Sequence, residues 1–376
     1  MMKTFRFDEI AYNSTQKVKP TEADKEHYIG LEHIDGECLY ISRWGADVAP
    51  IGEKLVMRKG DVLFGKRRAY QRKVAIAPID GIFSAHGLVL RPKEDVVDKD
   101  YFPFFMSSNQ FLDRAIQISV GGLSPTINWK DLARQEFTLP SLSEQKVLAD
   151  KLWAAYRVKE SYKKLLAATD DMLKAKFQEM FGNPLDATDS EKVKLGEICT
   201  INPRKDKKIE LDINVSFFPM DKIFEDGRYT ELPIRPYLEV SKGFTYAEEG
   251  DVIFAKITPC MENGKGMILK NLANKVGFGS TEFHVLRPLE NTSTAEFLYV
   301  LLSLPQFRIE AAKNMTGTGG QRRVPTSFLS DFKILPPSMP LQEEFANIYT
   351  QAEATKESLR KSIENIDQVI KSLINQ

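Results

Sequence analysis

The chain repeats itself, and that limits what it can fold into more than any other feature. Phe5-Arg6-Phe7-Asp8-Glu9-Ile10-Ala11 is matched by Val193-Lys194-Leu195-Gly196-Glu197-Ile198-Cys199. Tyr28-Ile29-Gly30-Leu31-Glu32-His33-Ile34 is matched by Phe217-Phe218-Pro219-Met220-Asp221-Lys222-Ile223. Gly60-Asp61-Val62-Leu63-Phe64-Gly65-Lys66 returns as Gly250-Asp251-Val252-Ile253-Phe254-Ala255-Lys256, and Leu90-Arg91-Pro92 as Leu286-Arg287-Pro288. Ser107, Gln110 and Phe111 answer to Ser303, Gln306 and Phe307; Gly121-Gly122 to Gly319-Gly320; Leu139-Pro140 to Leu335-Pro336. The order never changes and the spacing drifts little. So long a period marks a duplicated unit and not a solenoid.

Each copy is followed by a long helical pattern. Ser143 to Phe181 has no Pro or Gly and is rich in Ala, Leu, Lys and Glu, all strong helix formers. Leu148, Leu152, Ala155, Tyr162, Leu166, Thr169, Leu173 and Met180 alternate at steps of three and four, and Lys159 and Lys176 occupy two further seam positions, so the seam is imperfect. Such a narrow apolar seam seeks a second helix. Gly182-Asn183-Pro184 reads as its stop. At about 1.5 Å per residue the helix reaches on the order of 55 Å. From Leu341 the residues Phe345, Ile348, Ala352, Thr355, Leu359, Ser362, Ile366, Val369 and Leu373 offer a matching seam. The expected fold is α+β: two homologous mixed domains separated by two long helices that form an antiparallel coiled coil. The expected boundaries are 1–141, 142–185, 186–337 and 338–376.

Inside each domain, Asp61-Val62-Leu63-Phe64, Val74 to Ala77 and Leu88 to Leu90 read as strands. Tyr101 to Ile116 and Ala295 to Lys313 read as helices, the second broken at Pro305. Gly277-Phe278-Gly279 reads as a turn. A chain of 376 residues has room for both domains, and its 52 basic and 52 acidic residues leave no net charge to suggest a polyanionic partner. Local patches must carry that argument. Cys38, Cys199 and Cys260 lack paired spacing, so neither a disulfide framework nor a zinc site is expected. With no apolar leader and no membrane-length run, the expected location is the cytoplasm.

The first candidate site follows the Gly-Asp-Val strand. Lys66, Arg67, Arg68, Arg72 and Lys73 surround Tyr70 and Gln71. Cations that neutralise phosphates, mixed with side chains that reach base edges, suit a DNA-reading loop; a solvated basic loop is the plainer alternative. The second domain carries the less basic segment from Lys256 to Met267 at that position, as if one scaffold read two targets. The second candidate is Thr316 to Arg323, where glycines admit a close polyanion and Gln321, Arg322 and Arg323 supply donors. Its counterpart, Gly121 to Thr126, lacks the Arg pair.

Catalytic signatures are not found. There is no Asn-Pro-Pro-Tyr or Asp-Pro-Pro-Tyr, and no Pro-Asp paired with Glu-x-Lys. His27, His33, His86 and His284 are scattered without metal-ligand spacing. No cofactor is expected.

Taken together, the paired domain openings at Phe5 and Val193, the two Gly-Asp-Val-(Leu/Ile)-Phe strands, the Leu-Pro-Ser-Leu-Ser-Glu-Gln run at Leu139 and the Phe-Gln-Glu-Met-Phe-Gly exit at Phe177 make the chain resemble the DNA-specificity subunits of Type I restriction-modification systems. That resemblance implies two target-recognition domains, each reading half of a bipartite DNA site, with the helices setting the spacing. It also implies a non-catalytic chain whose partners are double-stranded DNA, two methyltransferase subunits and, through the complex, restriction subunits. The rivals are a stand-alone methyltransferase or nuclease, and an adaptor that binds proteins. One departure stands out: the second helix opens Leu335-Pro336-Pro337-Ser338-Met339-Pro340-Leu341-Gln342-Glu343-Glu344, with one extra residue and Glu344 where Gln145 stands.

Overall fold

The computed structural model describes residues 2–183, 191–205, 209–229, 231–318, 320–335 and 337–375. Pro184 of the helix stop, Asp186 to Ser190 between the domains, Gly319 and Pro336 lie outside the described residues. The chain forms two compact units, residues 1–164 with 359–376, and residues 165–358.

The first unit is built on a four-stranded antiparallel sheet in the order Ala11–Ser14, Leu88–Pro92, Val62–Phe64, Val74–Ile76. Its central strand is apolar at every position because both faces are covered. Val62 and Phe64 join the core formed with Phe7, Phe102, Phe105, Phe111 and Phe137. Leu63 points the other way, into a core shared with Ile29, Leu55, Met57 and Phe83 of a second sheet. The second unit repeats the arrangement with Cys199–Ile201, Phe283–Pro288, Val252–Ala255 and Gly266–Ile268. There Val252 and Phe254 face the helices while Ile253 and Ala255 face the second sheet. Each second sheet shares three strands, including one parallel pair: Tyr28–Ile29 with Gly81–Phe83, and Asn214–Phe218 with Val276–Gly279. The fourth strand differs, since Lys17–Val18 and Ile234–Pro236 add to opposite edges of the shared three.

The repeated motifs have a mechanical explanation. Asp61 accepts two bonds from the Arg91 guanidinium, at 2.7 and 2.8 Å, and one from the backbone of Arg58. Asp251 does the same with Arg287, both bonds at 2.8 Å, and with the backbone of Glu248. The Asp side chains are nearly buried, so the bidentate pair satisfies a charge that would otherwise be costly. Gly60 and Gly250 precede them at φ +92° and +93°, a region where a Cβ is penalised.

Two local expectations give way. Tyr101 to Ile116 is not one helix: Phe102–Ser107 and Asn109–Gln117 are separated by an extended Ser108, whose hydroxyl accepts from Phe111 N and caps the second piece. The other unit breaks at the matching place, between Ala295–Ser303 and Pro305–Lys313. Gly277-Phe278-Gly279 is a buried strand, not a turn. Its glycines are there because a Cβ on either would fall within 3 Å of the Phe218 ring.

The long helices run Leu142–Phe181 and Met339–Ile374. At their starts, Gln145 and Gln342 are fully buried and make the same three hydrogen bonds. Gln145 accepts from Asp98 N and donates to Val96 O and Pro140 O; Gln342 accepts from Thr294 N and donates to Thr292 O and Pro337 O. The counterpart of Gln145 is therefore Gln342 and not Glu344. From the strand pairs Phe5 with Phe137 and Val193 with Ile334 up to these glutamines, the two halves run residue for residue without an insertion.

Within each unit the two helices pack antiparallel. In the first, Lys159 pairs with Asp367, and Tyr156 and Leu152 share a core with Ile366, Ile370 and Leu373. In the second, Lys356 pairs with Asp170 at 2.6 Å and Phe177 packs on Phe345, with ring centroids 5.4 Å apart. One of the two seam columns expected from sequence is displaced by a residue in both helices. Leu152, Lys159, Thr169, Leu173, Phe345, Ala352 and Leu359 are buried as expected, but Ala149, Tyr156, Phe177, Tyr349, Lys356 and Ile370 complete the seam. Thr355 and Val369 are exposed. Lys159 lies on the seam where the sequence put it and reaches Asp367, but Lys356 lies in the displaced column, where pairing with Asp170 of the facing helix lets a seam position tolerate a lysine.

Candidate nucleic-acid interface

The basic loop and the glycine loop, separate candidates in the sequence, are one structure. Lys66 O accepts from Ile127 N at 3.0 Å, Arg67 bridges Thr126, and Arg68 N donates to Pro125 O at 2.7 Å. The glycine loop closes on itself through Val120 and Thr126, which exchange bonds of 2.9 and 3.0 Å. The second unit repeats each bond. Lys256 O accepts from Val324 N at 2.9 Å, Ile257 bridges Arg323, and Thr258 N donates to Arg322 O at 3.0 Å. Thr316 and Arg323 exchange the closing pair at 2.8 and 2.9 Å. Each unit thus presents a hairpin of glycines stitched to the loop that leaves its central strand, with Lys66 or Lys256 at the root.

In the first unit the loop makes a tight turn. Arg68 and Arg72 flank Ala69–Gln71 at φ +57° and +51°, a left-handed geometry costing roughly 1–2 kcal/mol per residue away from glycine. Burial of Ala69 in the aromatic core pins the turn, so that Tyr70 and Gln71 project into solvent. Strain of this kind collects at functional sites.

The candidate side chains divide into two sets. Lys73 Nζ donates to Leu31 O at 2.6 Å, and its counterpart Lys265 donates to the matching Met220 O at 3.3 Å; both are struts between loop and second sheet. Arg72 is held by Asn109 and Asp113 at 2.9 and 3.2 Å. Arg323 is clamped by both oxygens of Glu282 at 2.8 Å, and the guanidinium's hydrogen bonds lower the Glu282 pKa. These four cations are spent on the protein. Arg68, Tyr70, Gln71, Gln321 and Arg322 are exposed, and Arg68 makes one side-chain contact of 3.2 Å with Ser124. Lys66 is half-buried and has no acidic partner among the described residues; burial, with Lys17 nearby, lowers its pKa. Lys256 is half-buried at the same position.

Two neighbours of the loops escaped the sequence reading. His86 lies 3.5 Å from the Arg67 guanidinium, and burial together with Arg67, Lys66 and Lys54 lowers its pKa, which favours the neutral ring. Glu282 holds the matching position and removes one charge from the second interface. Lys265 lies inside the segment from Lys256 to Met267 that the sequence sets against the basic loop. His86 and Glu282 carried no signal, because strand pairing alone brings them beside the loops.

The sequence pattern of the Type I restriction modification DNA specificity domain matches twice, over residues 13–168 and 187–368. The chain is 40% identical over 154 residues to the Type I restriction enzyme EcoEI specificity subunit of Escherichia coli, covering 39% of the chain. It is 34% identical over 186 residues to the EcoAI specificity subunit of the same organism, covering 48% of the chain. It spans 25% and 31% of those relatives' own lengths. Among solved structures, the S subunit of a Type I restriction-modification system from M. genitalium superposes with a TM-score of 0.57 at 14% identity, covering 100% of this chain and 95% of that one. A chain from a structure of complex assembly and conformational transition of the type I R-M system gives 0.54 at 18% identity, covering 99% and 96%. These two likenesses establish the fold alone. With matches over most of its length, the chain belongs to the Type I restriction-modification DNA specificity family.

Proposed function

We propose that this chain reads a bipartite, asymmetric site on double-stranded DNA, one half with each stitched loop pair, and has no catalytic site of its own. It docks two methyltransferase subunits and, through them, restriction subunits, and it works in the cytoplasm. The supporting observation is the bond-for-bond equivalence of the two loop pairs combined with their different side chains. A common frame with Lys66 or Lys256 at its root suits the invariant phosphate backbone. Arg67, Arg68, Tyr70 and Gln71 on one frame, and Gln321 and Arg322 on the other, suit two different base sequences. Arg72, Lys73 and Arg323 hold the frames in shape. The domains are residues 1–141 and 186–337, and the helices 142–185 and 338–376 space them.

The test is duplex binding by the purified full chain across a salt series. Lys66→Ala is expected to flatten the salt slope by about one unit through loss of a phosphate contact, and Arg68→Ala to relax the first half-site alone through loss of a base contact. Arg322→Ala is expected to cost about 1–3 kcal/mol on one half-site if it reads a base. Lys73→Ala is expected to lower stability and leave the slope unchanged. Salt-independent binding, or none, would favour the adaptor that binds proteins.

A further inference from the structure

The glycine loop of the first unit carries a side chain that phosphate and base contacts leave unexplained. Leu123, at its tip, is 97% exposed, and Val120 on the ascending arm is 59% exposed. A lone exposed leucine is ordinary on a protein surface. This one is held in a fixed place. The hairpin beneath it is closed by the Val120–Thr126 pair and stitched to Arg67 and Arg68, and Arg68 Nε also reaches Ser124, the residue next to Leu123. Gly121, at φ +116°, makes the bend, and a Cβ on Gly122 would meet nothing within 4 Å, so the tip is slim. A slim apolar tip with the Arg68 guanidinium beside it fits a polyanion with an apolar interior, which is stacked duplex DNA. The second unit has Gly317-Thr318-Gly319-Gly320 at this place, followed by Gln321 and Arg322, and so offers no apolar tip.

Resting on the DNA-reading function above, we propose that Leu123 is a wedge that inserts between adjacent base pairs of the half-site bound by the first unit. The two halves are then read by different physics. The first loop pair selects a step that unstacks cheaply, such as a pyrimidine–purine step, while the second reads base edges through polar groups. No covalent change is involved. Stacking is exchanged for contact with the leucine side chain.

The test starts from the motif that the wild-type full chain selects from a random duplex pool. 2-Aminopurine is then placed at successive positions of the first half-site. The wild type is expected to select a pyrimidine–purine step at one position and to raise the fluorescence of 2-aminopurine there, as unstacking does. Leu123→Ala, which removes only an exposed side chain, is expected to lose that signal and the step preference. It should weaken binding about tenfold with the salt slope unchanged. Leu123→Phe is expected to keep both. If the wild type selects a motif but unstacks no position, or if Leu123→Ala behaves as wild type, the wedge is wrong and the reading function stands. A wild type that selects no sequence overturns both.

Discussion

Asp61 and Asp251 sit in turns opened by a left-handed glycine and accept from two guanidinium nitrogens, Nε and one Nη, of an arginine on the neighbouring strand of the sheet. Hydrogen bonds to a charged group contribute about 1.5–3 kcal/mol. Asp251→Ala is therefore expected to destabilise the second unit by about 2–3 kcal/mol in urea melts of the full chain. The double substitution with Arg287→Ala should cost little more than the single one. His284 provides a pH test. It is buried, and its Nε2 lies 2.8 Å from Val324 O beside the stitched loop. Burial is the main cause of its lowered pKa, with Lys256 adding to it and the Val324 bond opposing it. The unfolded chain therefore binds the proton more readily. Stability is full above the ordinary histidine value of 6.5 and falls as the pH drops through and below it. Urea midpoints at pH 7.5 and 5.5 should show that loss, and His284→Gln should shrink it.

Gln145 and Gln342 bolt the long helices to the units they leave. Each satisfies two backbone carbonyls and one N–H out of reach of water, so truncating either strands buried polar groups at about 1–3 kcal/mol. Gln145→Ala and Gln342→Ala are expected to destabilise by similar amounts, measured by denaturant unfolding. An effect at one glutamine alone would contradict their equivalence. The seam ion pairs behave differently. Removing Asp367 leaves the buried Lys159 unpaired and should cost about 3–5 kcal/mol, whereas Lys159→Met is expected to be close to neutral. These elements also show how far the sequence could be read. The helices, the duplication and the strands after Gly60 and Gly250 were legible, because propensity, apolar runs and repeated order all act locally. The seam column was not. Lys356 in that column pairs across the seam with Asp170, far along the chain, so Thr355 and Ser362 looked the safer positions. The break at Ser108 was hidden by apolar residues that continue in helical steps on both sides. Of the candidate site, both loops could be singled out in the sequence, but their union needs the strand pairing of Arg67 with Thr126 and Ile257 with Arg323.

At the scale of the whole molecule, one chain bearing two matched but chemically different loop pairs is suited to a split recognition site. The helices set the gap in that proposal. Half-sites read from one face of DNA lie roughly one helical turn, about 34 Å, apart. Inserting a few residues within 186–191 should lengthen the unread spacer by about a base pair and leave both halves unchanged. The most direct test is the methylated motif in genomic DNA when the chain is co-expressed with its methyltransferase subunit, compared among wild type, Arg68→Ala and Arg322→Ala. The expected result is a two-part motif in which Arg68→Ala relaxes only one half and Arg322→Ala only the other. A contiguous motif, or substitutions that alter both halves together or neither, would contradict it.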